Sequence, residues 1–370
     1  MEPIKVLLSG GGTGGHIFPA VAIANEIKNT IPNAEILFVG AIGKMEMEKV
    51  PAAGYKIIGV SIAGLQRKFT LSNFKLPFLL IKSYFQTKQI IKNFNPNVVV
   101  GTGGFASGPI IKAATAKNIP ALIHEGNSYA GLTNKILGKK VNKICVAYPN
   151  MDKYFPKEKI LITGNPIRQD LFNINSKRNE ALAFFGLNSE KKTILVIGGS
   201  LGARTINEAI NLGLKNIFEA NYQLIWQTGK GYISIANESV KNYKENGIKA
   251  FDFISRMDLA YAACDLVISR AGASSISEIC VIGKPCILVP SPNVAEDHQT
   301  KNALALQQNS AAILVKDFDA NHSLVKTALD LINDNEKLNQ LSLNVVKMAY
   351  PNATKTIAAE VLKLIKKNKD

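Results

Sequence analysis

A histidine at the end of a glycine-rich loop is the side chain of this sequence best suited to acid–base chemistry. Residues 10–16 read GGGTGGH, between a short apolar run and a helix-length stretch that carries Pro19 near its start. Glycine lets the backbone approach a bound group closely, and amide N–H groups at the start of a helix favour an anion. His16 is one of four histidines, and imidazole titrates near neutral pH. The segment predicts an anion site beside a histidine. The alternative is a tight turn whose glycines serve packing alone.

A second segment combines hydroxyl groups, glycine and a carboxylate. Residues 269–278 read SRAGASSISE at the end of an apolar run. Hydroxyl groups and glycine at a helix N-terminus form a cradle for phosphate. Glu278 follows about one helical turn later, where a carboxylate can accept both hydroxyls of a ribose. The alternative is Ser274 as a helix N-cap with Glu278 on a solvated face. A third loop, GGSLGAR at residues 198–204, has a less distinctive pattern.

Two common nucleotide-binding motifs fit these loops poorly. The first loop lacks the spacing G-x-G-x-x-G, and no acidic residue ends the second strand near Gly40 to receive a ribose. Both features weaken the case for a nicotinamide dehydrogenase. No Gly-Lys-Ser/Thr follows either glycine run, which excludes a Walker loop. A protein that binds a sugar nucleotide without catalysis stays open at this point.

Strands and helices must hold these loops, and the chain alternates short apolar runs with helix-length stretches, as parallel α/β sheets do. The runs that begin at Val6 and Ile194 both lead through glycine loops into helices, which predicts two doubly wound domains in tandem. The seam lies between Gly164 and Asn179, and a helical tail at Thr354–Lys367 could pack back on the first domain. The predicted strands are Lys5–Ser9, Glu35–Val39, Asn97–Gly101, Ala121–His124, Lys143–Ala147, Thr193–Ile197, Gln223–Gln227, Leu266–Ser269, Cys286–Val289 and Ala312–Val315.

The composition is that of a globular chain with an excess of positive charge. Of its 370 residues, 46% are hydrophobic and 19% are charged, and the formal net charge is +16. The excess favours an anionic partner or, equally, a diffusely basic surface. Four cysteines without a C-x-x-C pair suggest reduced, buried thiols. The sequence has neither a signal-peptide pattern nor an apolar window of about 18 residues. We therefore expect a cytosolic protein that touches a membrane surface at most.

The sequence resembles the bacterial UDP-N-acetylglucosamine transferases of peptidoglycan synthesis, the MurG family, along nearly its whole length. The segments that carry the resemblance, in family order, are GGGTGGHIFPAVAIA, GTGGFASGP, HEGNSYAGLTNK, TGNPIR, GGSLGAR, FISRM, SRAGASSISE and AEDHQTKNA. The resemblance implies an α/β fold of the glycosyltransferase B type, in which two Rossmann-like domains face each other across a cleft. Residues 1–165 would form the acceptor- and membrane-facing domain, with the tail 351–370 packed back on it. Residues 166–350 would form the UDP-GlcNAc-binding domain.

The same resemblance implies an inverting, metal-independent transfer of N-acetylglucosamine from UDP-GlcNAc to the C4 hydroxyl of the muramyl sugar of undecaprenyl-diphosphate-linked lipid I, which gives lipid II. It implies no cofactor and no nucleic-acid partner. Ile254 would present its backbone to uracil, Glu278 would hold the ribose, and Gln299 would hydrogen-bond the GlcNAc hydroxyls. The sugar-nucleotide contacts implied for this chain are Thr13, Gly14, Gly15, Asn127, Arg168, Ser200, Ile254, Ala273, Ser274, Ser275, Ile276, Ser277, Glu278 and Gln299.

Such a transfer needs a base for the acceptor hydroxyl. His16 is the first candidate and Glu125, at the end of a predicted strand, is the second; His16 could instead orient the substrate or cap its helix. The chain departs from the family at Gly126 and Leu201, where glutamine is frequent. A related transferase that acts on diacylglycerol or another lipid is the competing assignment.

The stretch from Ile62 to Lys92 mixes aromatic and aliphatic residues with lysines, as do helices that lie on anionic lipid. The alternative is a core helix whose lysines reach solvent. An acceptor that a polyprenyl chain holds in the membrane, as the resemblance implies, favours the first. We therefore expect peripheral attachment to the cytoplasmic face of the cell membrane through Phe74, Lys75, Phe78, Leu79, Lys82, Phe85 and Lys88.

Overall fold

The computed structural model of the chain describes residues 3–62, 76–199, 201–294 and 297–367. The chain divides into two compact units. The first consists of Met1–Arg168 together with Pro351–Asp370, and the second is the continuous stretch Gln169–Tyr350. Each unit is built on one parallel sheet flanked by helices. The expectation of two α/β domains is confirmed.

The first unit contains a sheet of seven parallel strands in the order β3-β2-β1-β4-β5-β6-β7. The central strands are buried on both faces, which explains their continuous runs of valine, isoleucine and leucine. The strands are β1 Lys5–Ser9, β2 Glu35–Ala41, β3 Lys56–Val60, β4 Val98–Gly101, β5 Ala121–Glu125, β6 Lys143–Val146 and β7 Ile160–Ile162. The helices are α1 Gly14–Thr30, α2 Glu46–Ala52, α3 Leu76–Phe94, α4 Ser107–Thr115 and α5 Leu132–Gly138.

The second unit contains a sheet of six parallel strands in the order β10-β9-β8-β11-β12-β13. Its strands are β8 Thr193–Ile197, β9 Gln223–Gln227, β10 Ile248–Phe251, β11 Leu266–Ser269, β12 Cys286–Leu288 and β13 Ile313–Leu314. Its helices are α6 Arg178–Phe185, α7 Arg204–Leu212, α8 Leu214–Glu219, α9 Ile233–Ser239, α10 Met257–Ala263, α11 Ala273–Ile282, α12 His298–Gln308, α13 Ala320–Asn333 and α14 Asn335–Val346.

The C-terminal helix α15, Ala353–Lys367, returns to the first unit. Its apolar side carries Ile357, Val361 and Ile365, which join the core cluster that contains Ile23 and Ile27 of α1. Two buried aliphatic faces thus meet, and the helix belongs to the core of the first unit rather than to its surface.

Strand order reverses at one place in each sheet, between β1 and β4 and between β8 and β11. There the last residues of neighbouring strands lie side by side, Ser9 beside Gly101 and Ile197 beside Ser269. Open parallel sheets bind ligands beyond the carboxyl ends of the strands at such switch points. The loops at these two points are the glycine and serine loops that the sequence singles out.

Candidate active site

The first glycine loop packs tightly against the loop that follows β4. Thr102 Oγ1 donates a 2.7 Å hydrogen bond to the carbonyl oxygen of His16, and a Cβ at Gly10 would overlap that threonine hydroxyl. Helix α1 begins at Gly14, preceded by Thr13 in an extended conformation. The first amide groups of a helix lack intrahelical acceptors. The Thr13, Gly14 and Gly15 backbone therefore forms the anion-favouring end that the sequence predicts.

The imidazole of His16 is held by the loop that carries it. Its Nδ1 lies 3.2 Å from the carbonyl oxygen of Gly11 and 3.3 Å from the Thr13 hydroxyl. Because a carbonyl oxygen only accepts, the contact with Gly11 is a hydrogen bond when Nδ1 carries the proton, and the lone pair of the neutral ring is then on Nε2. The ring rests against Gly103, where a Cβ would lie 2.8 Å from Cδ2. The glycines of the GTGG segment thus make room for this histidine.

Glu46 is a buried carboxylate that the sequence analysis missed. It is the first residue of α2 and is fully buried. Its Oε1 accepts a hydrogen bond from the Ala41 amide and its Oε2 accepts one from the Gly12 amide, both at 3.0 Å. A carboxylate just beyond β2 therefore turns inward and holds the glycine loop. The sequence signal that could have revealed it is the acidic residue itself, which comes shortly after the predicted strand Glu35–Val39.

Glu125, the second candidate base, is the last residue of β5 and is buried. Its Oε1 accepts from the backbone and side-chain amides of Asn127, at 3.1 and 3.2 Å. Its Oε2 accepts from the Gly131 amide and from Asn134 Nδ2, both at 2.9 Å. A buried carboxylate that already holds four donors orders its loop, and this argues against Glu125 as the base. Asn127 is anchored by the same contacts.

Two further buried polar residues flank this loop. Asn134 also donates to the carbonyl oxygen of His124 at 3.1 Å, and among the described residues its Oδ1 has no hydrogen-bond partner. His124 Nε2 lies 3.2 Å from the Gly164 carbonyl oxygen and must be the donor. Burial lowers the pKa of His124 to about 4. This histidine is therefore neutral at neutral pH.

In the second unit, Gln227 joins the second glycine loop to Ile254. Its Nε2 donates to the Gly199 carbonyl oxygen at 3.1 Å, and its Oε1 accepts from the Ile254 amide at 3.0 Å. Gly202, with φ +79°, packs so closely on the Thr228 carbonyl that a Cβ would overlap it. The Ile254 amide is thus engaged within the chain. Ser200 lies outside the described residues.

The serine hydroxyls at the start of α11 have different settings. Ser277 Oγ donates to the Ala273 carbonyl oxygen at 3.0 Å, so that hydroxyl is used within the helix. The buried Oγ of Ser274 has no partner among the described residues. Ile276 lies in the hydrophobic core, so only its backbone could meet a nucleotide, whereas Ser275 is half-buried.

Glu278 is oriented by a buried tyrosine. The hydroxyl of Tyr261 donates to Glu278 Oε2 at 3.1 Å, and both residues are buried. The carboxylate therefore does not lie on a solvated face, the alternative that the sequence left open. A fixed, buried carboxylate is suited to accept hydroxyl groups of a ligand.

The loops of the second unit are braced by an ion pair. Arg270 donates through Nη1 to Asp317 Oδ1 and to the Val289 carbonyl at 3.1 Å. The other oxygen of Asp317 accepts from Thr205 in the first turn of α7 at 3.0 Å. The same carboxylate thus links the beginning of α7 to the loop before α11.

Two further predicted contacts are Arg168 and Gln299. Arg168 is the last residue of the first unit and is half-buried. Gln299, in the first turn of α12, accepts from the Ser291 amide through Oε1 at 2.9 Å. Across the described residues, no group of three or more His, Cys, Asp or Glu side chains is placed to hold a metal ion.

Comparison with known proteins identifies the two units. Residues 6–146 match the model of the glycosyltransferase family 28 N-terminal domain, and residues 193–357 match that of the family 28 C-terminal domain. The chain belongs to glycosyltransferase family 28. The resemblance found in the sequence is confirmed.

Curated relatives of this family 28 chain share one name, UDP-N-acetylglucosamine–N-acetylmuramyl-(pentapeptide) pyrophosphoryl-undecaprenol N-acetylglucosamine transferase. The relative from Parabacteroides distasonis is 56% identical over 99% of this chain and 100% of its own length. The one from Flavobacterium psychrophilum is 54% identical, over all of both chains. The crystal structure of MurG from Acinetobacter baumannii superposes with a TM-score of 0.77 at 28% identity, covering 98% of this chain and 100% of that one.

One of the two departures from the family pattern has a local explanation. A Cβ at Gly126 would lie 2.6 Å from Asn165 Oδ1, and Asn165 Nδ2 donates to the Gly126 carbonyl oxygen at 3.0 Å. A glutamine here would displace Asn165. Leu201 is 83% exposed, and nothing in the structure explains its hydrophobic side chain.

The buried His124 makes the stability of this family 28 transferase depend on pH. The pKa is near 6.5 in an unfolded chain and about 4 in the folded one. The unfolded chain therefore binds the proton more readily between these values. This contribution to stability is complete above pH 6.5 and is lost as the pH falls towards 4, at up to about 1.4 kcal/mol per pH unit.

Urea unfolding at a series of pH values tests this prediction. Between pH 4 and 6.5 the free energy of unfolding should change less steeply with pH in His124→Gln than in the wild type. The matched control is His322→Gln, at an exposed position of α13. If the free energy of unfolding depended on pH in the same way in His124→Gln and in the wild type, the lowered pKa of His124 would be contradicted.

Proposed function

We propose that this chain transfers N-acetylglucosamine from UDP-GlcNAc to the C4 hydroxyl of the muramyl sugar of lipid I, with inversion and without a metal. The observation that carries the proposal is the identity of more than half of the residues to curated transferases named for this reaction, along essentially the whole chain. The chemistry of both loop clusters agrees with it. One cluster offers a base, and the other offers groups suited to a nucleoside diphosphate.

The uridine part of the donor lies on the second unit in this proposal. Glu278, held by Tyr261, accepts the ribose hydroxyls, and the Ile254 carbonyl accepts from uracil. The free hydroxyl of Ser274 and the first amides of α11 bind the diphosphate. Nε2 of Gln299 is the end of that side chain left for the GlcNAc hydroxyls. The other donor contacts in the proposal are Thr13, Gly14, Gly15, Asn127, Arg168, Ser200, Ala273, Ser275, Ile276 and Ser277.

His16 is the base in this proposal. Nε2 takes the proton of the attacking C4 hydroxyl as the bond from that oxygen to the anomeric carbon forms and the bond to UDP breaks. The departing diphosphate gains negative charge, which helix N-termini stabilise. Nδ1–H stays bonded to the Gly11 carbonyl, so the ring keeps its orientation while it becomes imidazolium.

Helix α3 buries two hydroxyl side chains and exposes three large apolar ones, whereas a surface helix usually does the opposite. Ser83 and Thr87 face the interior and are fully buried, whereas Phe78, Ile81 and Phe85 are 76%, 58% and 62% exposed. Ser83 bonds back to Leu80 at 2.9 Å and Thr87 to Tyr84 at the same distance, so the buried hydroxyls are satisfied within the helix. Large exposed apolar side chains on one helix face mark an interaction surface.

We infer that this face rests on the anionic cytoplasmic surface of the cell membrane. Lys82 is exposed beside the apolar residues, Lys88 lies over the Tyr84 ring at 5.2 Å, and Leu79 is half-buried. Such a mixture suits the headgroup region, where each basic residue contributes about 1 kcal/mol. No helix among the described residues is long and apolar enough to cross a bilayer. Phe74 and Lys75 lie outside the described residues.

The reaction is tested with a matrix of donors and acceptors. We expect turnover with UDP-GlcNAc and a lipid I analogue, and activities at least about 100-fold lower with UDP-glucose or UDP-galactose, because a buried site rejects a sugar that leaves its polar groups unpaired. Release of UDP is measured for each pair, with diacylglycerol as the alternative acceptor. Transfer to diacylglycerol, or UDP release that ignores the acceptor, would contradict the proposal.

The ribose contact is tested at Glu278. Glu278→Ala should weaken UDP binding by about 1–3 kcal/mol, because a charged hydrogen bond is lost, and should weaken 2′-deoxy-UDP binding much less. Tyr261→Phe leaves the carboxylate but removes its buried donor, and we expect a smaller loss in the same direction. Isothermal titration with both ligands measures this, with the exposed Glu238→Ala as control. Equal losses for both ligands would separate Glu278 from the ribose.

The membrane face is tested by replacing Phe78, Ile81 and Phe85 with serine. Binding to phosphatidylglycerol vesicles should be abolished and turnover of vesicle-embedded lipid I should fall, because the inserted apolar area is lost. Activity on a short-chain, water-soluble acceptor should survive. The matched control replaces Leu212, Ile235 and Leu343, exposed residues of the second unit, with serine. Vesicle binding that persists in the first variant, or equal loss in both, would overturn this assignment.

A further inference from the structure

We propose that Glu46 is a positioning residue for His16 and acts on it through the peptide group between Gly11 and Gly12. The proposal rests on the base role of His16 in the proposed function. It goes beyond that role, because it assigns the buried carboxylate that sets the proton and the basicity of the ring.

Both ends of one peptide group are engaged. The Gly12 amide donates to Glu46 Oε2 at 3.0 Å. The carbonyl oxygen of Gly11, which belongs to the same planar peptide unit, lies 3.2 Å from His16 Nδ1. The result is a continuous chain from a carboxylate through a peptide to an imidazole. The arrangement is similar to a carboxylate that accepts a hydrogen bond from a catalytic histidine, except that a peptide group lies between the two.

The charge of Glu46 strengthens the hydrogen bond between the Gly11 carbonyl oxygen and His16 Nδ1. A carboxylate bonded to a peptide N–H polarises the peptide and increases the negative charge on its oxygen, since hydrogen bonds in series reinforce one another. That oxygen then accepts more strongly from Nδ1–H. Glu46 is fully buried, so water screens this effect little. The neutral ring is thereby held with its lone pair on Nε2, and the imidazolium that forms on proton uptake is stabilised.

The surrounding residues pack closely around this series of hydrogen bonds. A Cβ at Gly11 would overlap Glu46 Oε1, and a Cβ at Gly104 would overlap the Gly11 carbonyl oxygen. Gly12 has φ +86°, a conformation that a side chain would strain. The second oxygen of Glu46 is tied to the Ala41 amide at the end of β2. The carboxylate is therefore fixed to the sheet, and the peptide is fixed to the carboxylate.

Other titratable groups near His16 cannot replace Glu46 in this role. Two such groups lie on β5: the buried His124, which interacts electrostatically with His16, and Glu125, which accepts from the Asn134 amide. His124 is neutral near pH 7 because burial lowers its pKa to about 4. Glu125 directs both oxygens to the donors of its own loop. Glu46 is the carboxylate with a bonded path to the ring.

The experiment is a double-mutant cycle of Glu46→Gln and His16→Ala in the full-length enzyme, with UDP-GlcNAc and a soluble lipid I analogue. Glu46→Gln keeps the size of the side chain and removes its charge. We expect kcat to fall about 10- to 100-fold, as for other residues that support a functional group, with the KM for UDP-GlcNAc within about twofold. In the His16→Ala background the same change should have no further effect on kcat, because residues that act as a unit are not additive.

A pH-sensitive measurement separates positioning from a merely structural role. In Glu46→Gln the acid limb of kcat/KM, and the NMR titration of the His16 ring, should move about half a pH unit or more to lower pH, because the imidazolium loses a stabilising charge. Glu46→Asp keeps the charge and should titrate closer to the wild type. The control is Asp265→Asn, which removes a carboxylate that accepts from the Thr193 amide at 2.8 Å in the second unit. It should leave the His16 titration unchanged.

The outcomes are distinguishable. An equal loss of kcat in both backgrounds, or a His16 titration that is the same in the wild type and in Glu46→Gln, would overturn the proposal. A His16→Ala enzyme with full activity would overturn the base assignment in the proposed function. The ring titration would then still decide whether Glu46 acts on His16. If Glu46→Gln does not fold, Glu46→Asp provides the decision. Its shorter side chain weakens the bond to the Gly12 amide, so the ring titration should move to lower pH by less than about half a pH unit. A titration identical to that of the wild type would contradict the proposal.

Discussion

The close approach of neighbouring loops beyond the carboxyl ends of the strands is the constraint on which both candidate sites depend. In the first unit the loops after β1 and β4 meet at Gly10 and Gly104, where a side chain would overlap Thr102 or the Gly11 carbonyl. In the second unit Gly202 meets the Thr228 carbonyl in the same way. These contacts aim the beginnings of α1 and α7 and, in the first unit, place the imidazole. Any Cβ at these glycines would separate the loops and disperse the groups that they bring together.

Buried carboxylates are the second element common to both units. Glu46, Glu125 and Glu278 are all buried, and burial of a charge is costly unless hydrogen bonds compensate it. Glu46 and Glu125 are compensated by backbone amides, and Glu278 by a tyrosine hydroxyl. Both oxygens of Glu46 and of Glu125 accept hydrogen bonds from nearby loops and so order those loops.

The sequence predicts the centre of each sheet better than its edges. The ten predicted strands are all present, and the three that it missed, β3, β7 and β10, are edge strands with half-exposed residues. An edge strand is buried on too few sides to need a long apolar run: β3 and β10 each contain a lysine, and β7 has only three residues. The site shows the same division. Glycine loops and His16 are local patterns, whereas Glu46 reaches a partner 34 residues away, Gln227 one 27 residues away and Tyr261 one 17 residues away. Such pairs exist only once the sheet has brought distant loops together, so one-dimensional patterns do not contain them.

The return of α15 to the first unit has a consequence for how the chain folds as it is synthesised. Ribosomes deliver the chain from its N-terminus, and domains generally fold as they emerge. The second unit is one continuous stretch and is complete once Tyr350 has left the ribosome. The first unit begins to emerge earlier but is completed later, because Ile357 and Val361 of α15 complete the core cluster that holds Ile23 and Ile27. During translation the unit that carries His16 is therefore completed after the second unit, and the part of this cluster that α15 covers stays accessible to chaperones in the interval.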